Sequence, residues 1–265
     1  MTSEKRNKLN QLFQVWTQNT VATSIWLESQ GVYQQLVSAY EKSGWVKRIG
    51  QGAFMRVGDK VQWMGALHTL QKQVGLAVYV AERSAIEMTG RSHFLPLGEK
   101  RAITLWGKRT ENLPAWFKNF DWKVSIDYKT STLFPEDINL GFTEKEFGEF
   151  SIKVSSPERA IIELLSLVPQ KTSFEEAKLL MEGAATFRVS LVQKLLEKCS
   201  SVKAKRLFLF LAEATRQPWF ERLSPKNIDL GVGKRQIVLS GSLDPKYNIT
   251  VPHDYLINDT EKDKS

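Results

Sequence analysis

Two short stretches of the sequence contain residue types that can do chemistry. The tripeptide DYK, from Asp127 to Lys129, has the acid-x-lysine order of nuclease sites, in which carboxylates hold a divalent metal and a lysine steadies the attacking water. Asp121 is its only close upstream acid. The stretch GVGKR, from Gly231 to Arg235, is similar to part of a phosphate-binding loop, but the frame Gly-x-x-x-x-Gly-Lys-Ser/Thr is absent. We therefore interpret it as a glycine-containing segment that leads into a strand.

Other reactive residue types lack the partners that catalysis needs. Glu158 and Glu163 are five apart on a predicted helix, so they point in different directions and cannot form an acid/base pair. Cys199, the single cysteine, has no assignable His or Asp partner, which favours a small buried residue. His68 is interpreted as an ordinary helix residue, and three scattered histidines do not make a zinc site. The sequence predicts no catalytic residue, no metal and no cofactor.

Recognition of DNA is the chemistry that the first sixty residues favour. Gln34, Gln35 and Ser38 project from the early turns of a predicted helix, and glutamine can pair bidentately with adenine in the major groove. Cationic and amide side chains of the following hairpin can hold phosphates or reach the minor groove. The role of Tyr33, just before the helix, stays open: its hydroxyl contacts a phosphate, or its side chain simply packs. The predicted DNA-binding residues are Tyr33, Gln34, Gln35, Ser38, Lys42, Lys47, Arg48, Gln51 and Arg56.

Three helices and a hairpin must position these residues. Apolar spacings of three and four predict a first helix from Arg6 to Trp16, and SIWLESQ predicts a second, with Ile25 and Leu27 turned inward. The third, a recognition helix, runs from Tyr33 to Ser43. Two short strands around a glycine turn form a wing from Trp45 to Val57. This order predicts a winged helix-turn-helix; the alternative is a winged helix used only for protein contacts.

Positive charge is concentrated in two segments of a chain whose formal net charge is +8. Residues 1–60 carry eight cations against four anions, and residues 200–239 carry eight against three. The second segment predicts a basic surface made of Lys203, Lys205, Arg206, Lys234 and Arg235. Three interpretations of that surface stay open: further phosphate contacts on bent DNA, an acidic or RNA-like target, and an ordinary solvated face.

The whole chain is predicted to be α+β, with an N-terminal winged helix-turn-helix followed by a mixed α/β C-terminal domain. We place the domain boundary near residue 96, which gives domains of residues 1–95 and 96–265, with a flexible tail from about residue 256. The sequence contains no run of about 18 apolar residues and no secretory signal, so we expect no membrane span and a cytoplasmic protein.

Stretches along nearly the whole sequence resemble one known family in order and spacing. They are QLVSAYEKSGWVKRIGQGAFMRVGDKVQWMGALHTLQKQVGL, HFLPLGEK, LPAWF, SSPERAIIELLSLVP, SVKAKRLFLFLAEA, PWF, IDLGVGKRQIVLSG and PKYNITVP. Together they resemble the AbiEi antitoxins of bacterial type IV toxin-antitoxin systems. One departure is Val232, where a small residue such as Ser is expected.

The resemblance implies a function for each half of the chain. The N-terminal winged helix is expected to bind inverted repeats upstream of its own operon and repress it. The C-terminal domain, which includes the predicted basic surface, is expected to be needed for antitoxin activity. The expected partners are double-stranded DNA and a nucleotidyltransferase-like toxin, countered without necessarily forming a stable complex. The alternative is a ligand-responsive winged-helix regulator that has no toxin partner.

Overall fold

A computed structural model describes residues 3–90 and 102–255 of the chain, with side chains from residue 7 onward. Helices and sheets are mixed along it, so the α+β prediction is confirmed. The helices are α1 Ser3–Val15, α2 Ser24–Ser29, α3 Gln34–Lys42, α4 Trp63–Lys72, α5 Glu82–Met88, α6 Ala115–Asn119, α7 Pro157–Leu165, α8 Phe174–Glu182, α9 Val189–Lys198 and α10 Val202–Ala214. The strands are β1 Ala22–Thr23, β2 Val46–Gly50, β3 Ala53–Arg56, β4 Tyr79–Val80, β5 Ile103–Gly107, β6 Ile126–Thr130, β7 Phe142–Phe147, β8 Phe150–Ser155, β9 Arg235–Gln236, β10 Ser242–Asp244 and β11 Ile249–Val251.

The chain packs into two compact units built from interleaved segments. The first contains the described residues of Met1–Val80, Lys100–Thr130 and Glu144–Val154, and the second contains the described remainder. The boundary predicted near residue 96 and the tail predicted from about residue 256 lie outside the described residues. The division into functional domains at residues 1–95 and 96–265 therefore stays a prediction.

The N-terminal helices share a local core with a small sheet ordered β1-β3-β2. Its buried members are Leu9, Leu12, Trp16, Ala22, Leu27, Val32, Val37, Tyr40, Val46 and Phe54. Thr23 caps α2 by accepting a hydrogen bond from the backbone N–H of Trp26. Gly31 ends that helix with a positive φ of 72°, which lets the chain turn at once into α3. The inward placement predicted for Ile25 is wrong: its side chain is 80% exposed, while Leu27 is buried.

The β2–β3 hairpin is packed against α6, a helix far along the chain. The pairing register shifts between Arg48 and Gly50, so Ile49 forms a bulge. A Cβ added at Gly50 would lie 2.6 Å from the Cβ of Trp116 and 2.9 Å from its Cα. The two backbones can approach this closely only because residue 50 is glycine.

A five-stranded sheet ordered β6-β5-β4-β8-β7 lies mostly in the first unit, which also contains α4 and α6. β4 pairs antiparallel with β5 and parallel with β8, and β5 pairs parallel with β6. The pattern of β7 is polar: the four residues Thr143 to Glu146 are all exposed.

The second unit is mainly helical, with α7 and α10 almost fully buried. A buried ion pair lies in this unit: the Nε of Arg159 donates to the carboxylate of Glu163 over 2.8 Å. The hydroxyl of Ser155 also donates to this carboxylate. Burial raises the pKa of Glu163, and the charge of Arg159 opposes that rise. A three-stranded sheet ordered β10-β11-β9 follows. Its β9 covers only the two residues Arg235 and Gln236.

Across the described segments 3–90 and 102–255, every helix is too short or too polar to cross a membrane.

Candidate nucleic-acid interface

One face of α3 is polar and open to solvent, as predicted. Tyr33, Gln34, Gln35 and Lys42 are exposed and Ser38 is half-buried. Positions 34, 38 and 42 are four apart, so they form one stripe along the helix. The opposite side is fixed by Val37 and Tyr40, which are 5% and 1% exposed. Packing therefore determines which side chains α3 presents outward.

Tyr33 precedes α3 as an N-cap residue that makes no side-chain capping bond. Its side chain is 66% exposed. Exposure of this degree favours the phosphate contact over simple packing, and the choice between these two roles stays a prediction. The phenol lies exposed at the end of α3 that carries Gln34 and Gln35.

The exposed cations of the wing differ in how far they are restrained. Lys47 is exposed. Arg48 lies across the wing from Phe54, with its guanidinium carbon 4.6 Å from the ring centre, and one guanidinium nitrogen is 3.3 Å from the carboxylate of Glu41 on α3. Side chains of this pair keep 43% and 35% exposure, so solvent and other anions still reach them. Arg48 thus joins the β2–β3 hairpin to α3.

Arg56 is not available as a DNA contact in this structure. It is 8% exposed, and its Nε donates to Asp59 over 3.1 Å. Its guanidinium also lies 5.4 Å from the centre of the Phe13 ring. Arg56 faces Val46 across the hairpin, on the side that packs inward. Alternate residues of a strand face the same side, and this alternation places Arg56 on the buried side of β3. The prediction that Arg56 contacts phosphate is therefore wrong.

The basic surface predicted in the C-terminal half is mostly not a surface. Lys205 and Arg206 are each 3% exposed, and Lys203 is half-buried with its ammonium donating to the carbonyl of Val168. Of the five residues, Lys234 is exposed and Arg235 is half-buried. The error has a physical cause, because α10 is surrounded on nearly all sides and therefore buries its cations with its apolar residues.

Arg206 organises the loop that resembles a phosphate loop. Its guanidinium donates to the carbonyls of Leu230, Gly231, Gly233 and Asn248 over 2.6 to 3.1 Å. Gly231 and Gly233 have φ values of 58° and 74°, which turn their carbonyls toward the arginine. A phosphate loop presents N–H groups to an anion. This loop presents carbonyls to a cation and leads into β9, as the sequence interpretation held.

The candidate catalytic residues are occupied by structural contacts. The ammonium of Lys129 lies 3.1 Å from the carboxylate of Asp127, and Asp121 pairs with Lys123 instead of joining them. Glu158 pairs with Arg188 while Glu163 pairs with Arg159, so the two glutamates point apart as predicted.

The two other singled-out side chains are also held by the fold. Cys199 is 3% exposed, and burial raises the pKa of its thiol to about 11, which makes a thiolate scarce at neutral pH. The Nδ1 of His68 lies 2.8 Å from the carbonyl of Ser151 and therefore carries the proton. Both interpretations from the sequence are confirmed.

Sequence reasoning missed two features of this interface. Glu41 was not considered, although an acid seven residues before Arg48 across a helix–strand turn is a signal for such a pair. The contact of Gly50 with Trp116 joins residues that are 66 positions apart, and no local sequence pattern predicts it.

Two family models that match the sequence describe the same family. A family model described as "Transcriptional regulator, AbiEi antitoxin N-terminal domain" matches residues 5–97. A second, described as "Transcriptional regulator, AbiEi antitoxin, Type IV TA system", matches residues 100–252. No curated protein matches the sequence. The solved structure of the RV2827C protein from Mycobacterium tuberculosis is similar, with a TM-score of 0.56, 13% identity, and coverage of 94% of this chain and 92% of that chain.

These matches define a transcriptional regulator of mixed α and β structure. The chain belongs to the AbiEi antitoxin family of type IV toxin-antitoxin systems. The likeness to the mycobacterial structure concerns the fold alone.

Proposed function

We propose that this protein is a DNA-binding antitoxin whose N-terminal part is a winged helix-turn-helix. In this proposal α3 enters the major groove and the β2–β3 hairpin is the wing. The protein binds inverted repeats in the promoter of its own operon, represses transcription, and counteracts a nucleotidyltransferase-like toxin. It acts in the cytoplasm by binding and not as an enzyme.

One observation carries the DNA-binding part of the proposal: an exposed, amide-rich helix face stands beside an exposed cationic hairpin. Gln34 and Gln35 supply donors and acceptors that can read base edges, and Lys42, Lys47 and Arg48 supply attraction to phosphates. Gln51 at the hairpin tip is exposed as well. A face that is merely solvated more often carries alternating Glu and Lys. Arg56 is left out of the proposed contacts because it is buried.

The DNA-binding part is tested by fluorescence anisotropy. Binding of the protein to its own upstream DNA and to a scrambled duplex is measured at several salt concentrations. We expect the upstream DNA to bind ~10³-fold more tightly or better, with a steep salt dependence, because base contacts add to phosphate contacts. Equal, weak binding to both duplexes would contradict a specific operator protein.

The antitoxin part is tested separately by co-expression with the nucleotidyltransferase-like toxin that the proposal assigns to the same operon. We expect growth to be rescued by the full chain. Loss of operator binding through Gln34→Ala and Gln35→Ala should leave that rescue intact, because the two activities are proposed to lie in different halves. Failure of the wild-type chain to rescue growth would remove the antitoxin part and leave the repressor part standing.

A further inference from the structure

A cavity of about 250 Å³ lies within the first compact unit, beside the helix that supports the wing. Its lining residues are mostly of apolar or aromatic type, with one cation among them. The lining residues are Leu113, Phe117, Lys118, Phe120, Trp122, Val124, Ile126 and Tyr128. None of the residues predicted to contact DNA lines it.

The polar groups of the cavity narrow the choice of ligand. The indole N–H of Trp122 already donates to the carbonyl of Phe117, and the Tyr128 hydroxyl donates to the carbonyl of Glu111. Lys118 is exposed and makes no ion pair with the part of the chain that the structure describes. Among the described residues that line the cavity there is no carboxylate, and Lys118 supplies an ammonium group as a donor.

Three aromatic rings form one packed wall of the cavity. The rings of Phe120 and Trp122 have centres 4.5 Å apart, and those of Phe117 and Trp122 are 5.6 Å apart. Aromatic walls bind planar groups by stacking and edge contacts. A dry cavity of roughly 150 Å³ accepts benzene, so a larger one admits one or two rings with a substituent. We propose that this cavity binds a small aromatic carboxylate, with the ring against the aromatic wall and the carboxylate on Lys118.

A ligand here would bear on the wing through α6. Phe117 and Lys118 line the cavity, while their neighbour Trp116 meets Gly50 of β2 in the contact described above. A ligand that shifts α6 therefore shifts the surface against which the wing rests. This regulatory step rests on the proposed function, whereas binding of the aromatic acid does not.

Equilibrium dialysis with 2-naphthoate, and with the neutral 2-naphthamide, tests the binding step on the full chain. Lys118→Gln should weaken naphthoate binding at least tenfold and leave the amide unchanged. Lys123→Gln is the matched control, because Lys123 is exposed, pairs with Asp121 and does not line the cavity. Val124→Trp should fill the cavity and abolish binding of both compounds, and Val124 is 42% exposed, so the larger side chain need not disturb the core.

Absence of saturable naphthoate binding, or equal affinity in wild type, Lys118→Gln and Val124→Trp, would overturn the proposal. The regulatory step is measured by repeating the operator anisotropy with saturating naphthoate. We expect operator affinity to change at least threefold in wild type and not in Val124→Trp. Binding without that change would remove the regulatory step. Failure of operator binding without any ligand would instead count against the proposed function and leave the cavity assignment intact.

Discussion

Single side chains in the proposed interface divide into those that read bases and those that hold phosphates. Gln34 and Gln35 are exposed near the start of α3, and Lys47 is exposed on the wing. We predict that Gln34→Ala or Gln35→Ala costs ~1 to 3 kcal/mol on the operator and almost nothing on a scrambled duplex. Lys47→Ala should weaken both and lower the salt slope by about 1. Anisotropy titrations check this, and equal losses on both duplexes for the Gln variants would contradict base reading.

Arg206 is predicted to act on stability and not on any partner. Its side chain is buried and its guanidinium donates to four backbone carbonyls, so Arg206→Ala removes four charge-assisted hydrogen bonds and the packing of a buried side chain. We expect the free energy of unfolding to fall by ~3 kcal/mol or more, measured by urea denaturation. Lys234→Ala is the control because Lys234 is exposed, and it should change stability by less than ~0.5 kcal/mol. A stable Arg206→Ala protein would mean that the loop does not depend on this arginine.

The sequence predicted exposure for helix side chains far better than for the basic residues. On α3, Val37 and Tyr40 are inside and the glutamines outside, because one-sided burial follows helical periodicity. On α10 the same reasoning failed, since a helix covered on nearly all sides buries its cations too. Arg56 is likewise buried, on the inward face of the hairpin, where it pairs with Asp59. Residue type predicts charge, but only tertiary packing decides whether that charge reaches a partner.

At the scale of elements, the wing is held by a helix that the sequence does not place near it. Gly50→Ala puts a methyl group 2.6 Å from the Cβ of Trp116, so either β2 or α6 must move. We predict a loss of ~1 to 3 kcal/mol in the free energy of unfolding, together with weaker operator binding. Thermal denaturation and anisotropy measure the two effects. Gln51→Ala, at the exposed tip of the same hairpin, should leave stability unchanged. Unchanged stability in Gly50→Ala would show that these backbones do not meet.

The packing of α4 against β8 carries a pH dependence through His68. Burial lowers the pKa of His68 below 6.5, its hydrogen bond to Ser151 opposes this, and Lys72 and Glu144 act in opposite directions. The unfolded chain therefore takes up this proton first as the pH falls. The stability that neutral His68 contributes is fully present above about pH 6.5. It is lost as the pH falls from there through the lower pKa that His68 has in the folded state.

We predict that His68→Asn, which keeps a donor for the carbonyl of Ser151, shows a smaller loss of stability than wild type between about pH 7 and pH 5. Urea denaturation across that range measures it. Parallel stability curves for the two proteins would show that His68 does not contribute to the pH dependence.

At the scale of the whole molecule, the sequence and the packing divide the chain differently. The sequence predicts one boundary near residue 96, whereas the two compact units are built from interleaved segments. Helices α1 to α3 and their sheet have a core that lies entirely between Leu9 and Phe54. The local patterns of that stretch sufficed to predict its helices and hairpin. The first compact unit also takes in residues 102–130 and 144–154, through strands that pair with β4 and the helix that meets the wing. Such long-range pairings have no periodic signature, and for that reason the sequence could not supply them.

This difference predicts how a fragment of residues 1–95 behaves. Its local core should let it unfold cooperatively, because the ten buried residues of that core are all present. The fragment lacks Trp116 beside Gly50, and it lacks both strands that pair with β4. We therefore expect a lower melting temperature than for the full chain and faster hydrogen exchange in the wing, at Ile49 and Gly50, than in α3. The reason is that α3 rests on residues of the fragment itself, whereas β2 loses its outer support.

Hydrogen exchange read residue by residue, in the fragment and in the full chain, makes the comparison. Equal wing protection in both would mean that the N-terminal part is complete without residues 102–130. Loss of protection in α3 as well would mean that even its local core needs the rest of the unit. The expected pattern, a protected α3 beside an exchanging wing, would make α6 a structural part of the proposed DNA-binding surface, although it follows α3 by more than seventy residues.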